Sequence, residues 1–248
     1  MKRNIFLLAA ACALLTLPSC RFITISDELK QQMQGNNYGI HFEDNDNGES
    51  IDASSNFISQ DEVTGEFHNL MINFPGDLVY TPGDCSFSIN APDNVLAHLN
   101  VKNENGTLTV KSDGTKFNNL KNVKISVSSP VLEDVTFNGA VDFDAPQGIT
   151  ALDFNATVNG AGDISISGLK AGKVKVVVNG AGDVTISKLE SDELSLAING
   201  AGDATVSGQT GDAELSISGA GDIDALGLKA ENISSKVRGI GKIRKPNN

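Results

Sequence analysis

The chain is 248 residues long and 40% hydrophobic, with 31 acidic against 19 basic side chains and a formal net charge of -12. The apolar share is enough to fill a core, which excludes a disordered chain. The acidic balance sets the surface against nucleic acid and anionic headgroups, whose binding needs clustered Lys and Arg.

Lys2 and Arg3 precede an apolar run, Ile5 to Leu17, that is too short to span a bilayer, and Leu17-Pro18-Ser19-Cys20 follows. This leader resembles a bacterial lipoprotein signal. The resemblance implies that residues 1–19 are removed and that Cys20 becomes the lipid-modified first residue, with the membrane as partner through the anchor. Cys12 then leaves with the leader, and Cys85 has no disulfide partner. It alternates with Phe87 and Ile89 and reads as a buried small hydrophobe. Residues 20–56 are rich in Asn, Gln, Asp and Ser and read as a flexible tether. By random-coil scaling it holds the folded body roughly 30 Å from the membrane.

From 57 to 137 the pattern is of strands without a clean period. Leu70, Ile72 and Phe74 alternate with polar residues, as do Leu99 and Val101, Leu108 and Val110, and Val123, Ile125 and Val127. Asn105-Gly106 suits a type I′ hairpin turn, whose two central residues both need positive φ. Irregular coils or hairpins plugging the first turn of a longer array are expected here.

The array itself is regular. Asn159-Gly160-Ala161-Gly162-Asp163 recurs at Asn179, Asn199 and, as Ser-Gly-Ala-Gly-Asp, at Ser218, at intervals of 20, 20 and 19 residues. A looser copy begins at Asn138, and a degenerate one, Arg238-Gly239-Ile240-Gly241-Lys242, closes the series. Columns of aliphatic residues keep step with it: Val158, Val178, Ile198, Ile217 and Val237 just before the motif, Ile164, Val184, Ala204 and Ile223 just after, then Leu169, Leu189, Gln209 and Leu228. Helices would need 3.6-residue spacing and would not tolerate two glycines per unit, and propeller blades need about twice this length. The reading is all-β: a single-stranded, right-handed parallel β-helix of about 20 residues per coil, spanning 57–248, with regular coils over 138–244.

Together, the NGAGD repeats, the entry at Ser129-Pro130-Val131-Leu132, the Gly106-Thr107-Leu108-Thr109-Val110 segment and the leader resemble the auto-transporter adhesin "head GIN" domain family, over Ser50 to Arg244. That resemblance implies a β-helical envelope protein of Bacteroidota with an adhesin-like role and no established biochemical activity.

Two columns deserve chemical weighing. Asp142, Asp163, Asp183, Asp203 and Asp222 stack in register. Carboxylates about 4.8 Å apart repel by about 0.9 kcal/mol per pair even at the dielectric of water. Calcium would relieve this, but calcium-binding β-rolls repeat every nine or so residues and face two turns at each site. One carboxylate per 20 residues suits a structural ladder in which each Asp accepts backbone N–H groups at the corner, so no metal and no cofactor is expected. Asn138, Asn159, Asn179 and Asn199 read as an amide ladder. His41, His68 and His98 lie outside the array without metal or triad spacing. The chain has no Trp and only Tyr38 and Tyr80 to build the aromatic platforms common in sugar-binding clefts.

Arg238, Lys242, Arg244, Lys245 and Pro246 put charge and proline on the last edge, a device that suppresses strand-to-strand polymerisation, so 238–248 reads as a cap. The expectation is therefore a non-enzymatic, lipid-anchored outer-membrane protein acting as an adhesin-like binding or structural module, with a protein or glycan ligand and no nucleic acid. A periplasm-facing scaffold or envelope-stress component is the alternative, and a carbohydrate-active β-helix enzyme a distant third. Arg21 and Phe22 directly follow Cys20, with acids only at Asp27 and Glu28, and leave the face of the membrane open.

Overall fold

The computed structural model describes residues 50–62 and 64–246, all within a compact unit that runs from Asn45 to Asn248. The leader, Cys20 and most of the expected tether lie outside the described residues. The tether reading ends too late, since strand β1 (Ser50–Asp52) already pairs in parallel with Lys116–Asn118, and Ala53 N–H donates to the Asn118 carbonyl.

Beyond β1 come β2 (Phe57–Glu62), β3 (Asn69–Asn73), β4 (Gly76–Pro82), β5 (Ser86–Pro92), a one-turn helix α1 (Asp93–Leu96), β6 (Leu99–Glu104), β7 (Thr107–Ser112), β8 (Lys116–Asn118) and β9 (Lys124–Ser129). The regular part follows as β10 (Asp134–Ala145), β11 (Ile149–Thr150), β12 (Asp153–Ala161), β13 (Ile164–Ile166), β14 (Leu169–Lys170), β15 (Lys173–Ala181), β16 (Val184–Ala201), β17 (Ala204–Ala220), β18 (Ile223–Ile240) and β19 (Ile243–Arg244). Every pairing from β10 onward is parallel and joins residues one coil apart: Asn159 faces Asn179, Asn179 faces Asn199, Asn199 faces Ser218 and Ser218 faces Arg238. This regular part is a β-solenoid of about six turns with some 20 residues per coil.

Period-two alternation sends every second side chain into one continuous core. Phe154, Val174 and Leu194 form one buried column, Val158, Val178 and Ile198 another, and Ile164, Val184 and Ala204 a third. Like stacks on like because in-register parallel pairing places equivalent residues directly over one another. One column differs from the sequence reading. The coil of 19 residues shifts register after Val206, so Gly208, not Gln209, sits between Leu189 and Leu228, and Gln209 is exposed beside Glu190 and Lys229. The omitted residue is absorbed here because a glycine lets the chain approach Leu189 more closely than any side chain would.

The stretch from 57 to 137 contains two further coils, stacked out of chain order. β3 and β4 lie directly on β10, with Leu70 against Val135 and Leu78 against Phe143. On their other side β3 and β4 carry β7 and β9. The chain therefore builds the second coil from the end, then the outermost one, and crosses back to start the regular array. The crossing segment is fastened: the Ser129 hydroxyl donates to the Val131 carbonyl at 2.7 Å, Leu132 is fully buried, and the buried Tyr80 hydroxyl donates to the Ser129 carbonyl at 2.9 Å. Burial pushes the Tyr80 phenol above its ordinary pKa.

Antiparallel strands close this end. β6 turns back on β7 through Asn105 (φ 52) and Gly106 (φ 77), the two left-handed residues of a type I′ turn. β5 runs antiparallel to β9, and β2 antiparallel to β5. Val95 and Leu96 of α1 are buried beneath them. Cys85, just before β5, is half-buried against the core rather than within it.

Candidate functional site

The corner that repeats along the solenoid is shaped by its two glycines. At Gly180 φ is 149° and at Gly182 156°, both in the region open to glycine. Packing demands glycine as firmly as conformation does, since a Cβ on Gly180 would run into the carbonyl oxygen of Gly160, and one on Gly182 into that of Gly162. The same holds at Gly200 and Gly202. Two glycines per coil are thus what allows one corner to rest on the next at strand spacing.

The Asn side chains beside the glycines are joined. Asn159 Nδ2 donates to Asn138 Oδ1 at 2.9 Å, Asn179 to Asn159 at 2.9 Å, and Asn199 to Asn179 at 3.0 Å. Asn138 in turn donates to Asn73 at 2.5 Å. Asn73 escapes a search for the repeat because its corner reads Asn73-Phe74-Pro75-Gly76-Asp77 and lies far from Asn138 in sequence. Register with Ile72 opposite Phe137 brings it into line.

The Asp residues use a different bond from the one expected within a corner. Each Oδ1 accepts the backbone N–H of the Asp one coil further on: Asp163 N to Asp142 at 3.0 Å, Asp183 N to Asp163 at 2.8 Å, Asp203 N to Asp183 at 2.8 Å and Asp222 N to Asp203 at 2.7 Å. A charge-assisted bond per carboxylate offsets repulsion between neighbours. The column reaches further than the repeat does, because Asp77 stands opposite Asp142. It ends on cations at both sides. Lys124, in register with Asp77, lies 3.1 Å from its Oδ2. At the other end Lys242 N donates to Asp222 Oδ1 at 3.0 Å, Lys242 Nζ lies 3.8 Å from Asp222 Oδ2, and Arg244 approaches Asp222 and Asp224 at 3.4 Å.

This arrangement has little to offer a divalent ion. From Asp142 to Asp222 one oxygen of each carboxylate is taken by a backbone N–H, and successive groups come one from each coil. Among the described residues no cluster of three His, Cys, Asp or Glu side chains has metal-binding geometry.

Recesses in the surface are open and shallow. One, of about 280 Å³, lies under the turn at Leu120–Val123 and is bordered by Asp77 and Asp142. Another, of about 470 Å³, crosses the strands ahead of the corner, between Lys173, Lys175, Glu193 and Glu214. In it Lys173 Nζ pairs with Glu193 at 3.2 Å.

A polar cluster at the closed end was not legible in the sequence. His98 Nδ1 lies 3.0 Å from Asp113 Oδ2 and 3.1 Å from Thr115 Oγ1, and Thr115 Oγ1 donates to Asp113 Oδ1 at 2.7 Å. Burial pushes the Asp113 carboxyl up, but the bonds from Thr115 and His98 outweigh it and hold its pKa below the ordinary value. Hydroxyl and carboxylate meet the same ring nitrogen, so the imidazole cannot pass a proton from one side to the other as a hydrolytic triad requires. The cluster ties the start of β6 to the end of β7. His68 lies beside the β6–β7 turn, and His41 is outside the described residues.

Solved structures share this architecture. A "putative adhesin" from Parabacteroides distasonis ATCC 8503 superposes with a TM-score of 0.73 at 20% identity, over 79% of this chain and 84% of that one. A "putative adhesin" from Bacteroides fragilis NCTC 9343 gives 0.65 at 23% identity, over 79% and 100%. A "putative lipid binding protein" from Parabacteroides distasonis ATCC 8503 gives 0.54 at 16% identity, over 80% and 100%. At these identities the likeness is one of fold. No curated protein matches the chain. The profile of the family described as "Putative auto-transporter adhesin, head GIN domain" matches residues 66–187 and again 157–245, the two spans overlapping on the regular coils. With the profile running through both the out-of-order coils and the repeated corners, the chain belongs to the head GIN domain family.

Proposed function

We propose that the protein is a non-catalytic, lipid-anchored envelope module that binds its ligand with the broad outer faces of the solenoid. The observation that carries this reading is the flat face ahead of the corner. There Thr136, Thr157, Val177, Ala197 and Ser216 stand in register across successive coils, with the mixed charges of Lys173, Glu193 and Glu214 alongside. An enclosed site that buries most of a small substrate suits catalysis. A ruled, rigid face with small side chains suits contact with an extended surface, whether of a protein or a glycan. Membership of an adhesin family supports the same reading.

Cys20 anchors the module, and the acidic solenoid stands off the membrane on the segment that follows. Labelling with a palmitate analogue should mark the wild-type chain and not Cys20→Ser, which should leave the membrane fraction. Protease shaving of intact cells then separates the two placements. Digestion of the solenoid supports a surface adhesin, whereas protection until the outer membrane is opened would replace it with a periplasm-facing scaffold.

A further inference from the structure

The two ends of the solenoid are unlike. At one, β6, β5 and β2 fold back antiparallel and α1 covers the core. At the other, no strand among the described residues pairs with the outer edge of Asn232–Ile240. The core runs out uncovered there. Val158, Val178 and Ile198 are 0% exposed and Ile217 1%, yet Val237, next in the same column, is 40% exposed. Ile240, 81% exposed, stands in the outward column of Ala201 and Ala220 and adds an apolar side chain beside this edge.

The charge of this end also departs from that of the chain. Residues 232–246 hold Lys236, Arg238, Lys242, Arg244 and Lys245 and no acid, on a protein of net charge -12. Lys242 and Arg244 are drawn back to Asp222 and Asp224, and Lys245 Nζ donates to the Ile233 carbonyl at 3.1 Å. Lys236 and Arg238 make no ion pair among the described residues.

We propose that this edge is a docking site for an extended, acidic polypeptide segment, which adds to the terminal coil as a further strand. Three features select that occupant. Beyond Ile233, whose carbonyl Lys245 holds, a row of backbone donors and acceptors at strand spacing is met residue for residue by another backbone. The bare end of the core asks for apolar side chains at alternate positions, which a strand supplies. Finally, Lys236 and Arg238 repel a second copy of the same edge, because like charges facing across strands are destabilising, and attract carboxylates in the same place. The charge that keeps the edge from polymerising is thus the charge that chooses its partner. The inference goes beyond the reading of the broad faces and holds on either side of the membrane.

The test uses the full chain in detergent and a fluorescent peptide alternating Glu and Val. Three competitors accompany it: the same peptide N-methylated at alternate residues, a Lys-Val peptide, and a heparin oligosaccharide. The Glu-Val peptide is expected to bind, and N-methylation to weaken it by about tenfold or more, since the blocked backbone cannot complete the ladder. The double variant Lys236→Glu and Arg238→Glu changes exposed side chains only and should exchange the preference to the Lys-Val peptide, with an unchanged melting temperature to show that the fold is intact. Equal binding of the methylated peptide or of heparin would reduce the edge to a patch of charge and overturn the proposal, as would no binding at all. Self-association of the wild type, seen by sedimentation and lost in the double variant, would put a second copy there and overturn it too.

Discussion

Lys124 Nζ lies 3.1 Å from Asp77 Oδ2, and through this pair the aspartate column begins on a lysine as it ends on one, at Lys242. Lys124 faces Asp77 in the strand register itself, and Lys242 is set on Asp222 by its own backbone N–H. From Asp142 to Asp222 each carboxylate spends one oxygen on the N–H of the next coil, so charge and hydrogen bonding have separate parts in the column and separate consequences for substitution.

Asp183→Asn retains an acceptor for the Asp203 N–H and removes one negative charge from a stack of like charges. Its stability should stay within about 0.5 kcal/mol of wild type, or rise. Asp183→Ala leaves that N–H without its partner and should cost about 1–2 kcal/mol. Urea unfolding of the two variants measures the difference directly. Equal losses would show that charge rather than the bond sets the contribution of this residue. A calcium-dependent rise in melting temperature in the wild type would reverse the reading of the column as metal-free.

Asn179 sits in mid-ladder, giving a bond to Asn159 and taking one from Asn199. Asn179→Ala removes both from an exposed surface, where each is worth about 0.5–1 kcal/mol. A loss of roughly 1–2 kcal/mol is expected, against almost none for Asn155→Ala, two outward columns away and outside this ladder. If both variants melt alike, the amides contribute nothing as a ladder.

Gly180→Ala combines an unfavourable φ with a collision against the Gly160 carbonyl, and both must be relieved by moving backbone. A cost on the order of 3 kcal/mol follows from strain and overpacking together. Gly168→Ala is the control, since nothing lies within 4 Å of the added carbon. Thermal unfolding should place the first far below wild type and the second beside it.

Asp93 receives hydrogen bonds from Ser54 Oγ at 2.5 Å and Asn56 Nδ2 at 2.8 Å, which fasten the entering chain to α1, and these bonds lower its pKa. Asp113 is lowered as well, with Thr115 and His98 overcoming its burial. A carboxyl whose folded pKa lies below its unfolded one adds stability above the unfolded value, about 3.9, and loses it as pH falls through the lower folded value. Melting temperatures recorded from neutral pH into acid should therefore fall through that window, and fall less steeply in Asp93→Asn and Asp113→Asn than in wild type. Parallel curves for all three proteins would remove these two groups from the acid response.

The regular coils were legible in the sequence because stacking in register makes each coil repeat the last. The two glycines of the motif, the alternating columns such as Val158, Val178 and Ile198, and the type I′ turn at Asn105-Gly106 are local demands of sterics and period, written in the residues themselves. The coil at Asn73 to Asp77 obeys the same register without the motif, with Phe74 in place of the first glycine and turned into the core, and Pro75 in place of the alanine, and no period points to it. Lys124 opposite Asp77, the crossing at Ser129 to Leu132 and the meeting of His98 with Asp113 likewise join residues distant in the chain. Long-range pairing of this kind is settled by which strand edges and apolar faces remain free once the regular coils have formed. A period reports how a chain repeats; how its unrepeated strands close one end of the solenoid is decided only when they compete for those free edges in three dimensions.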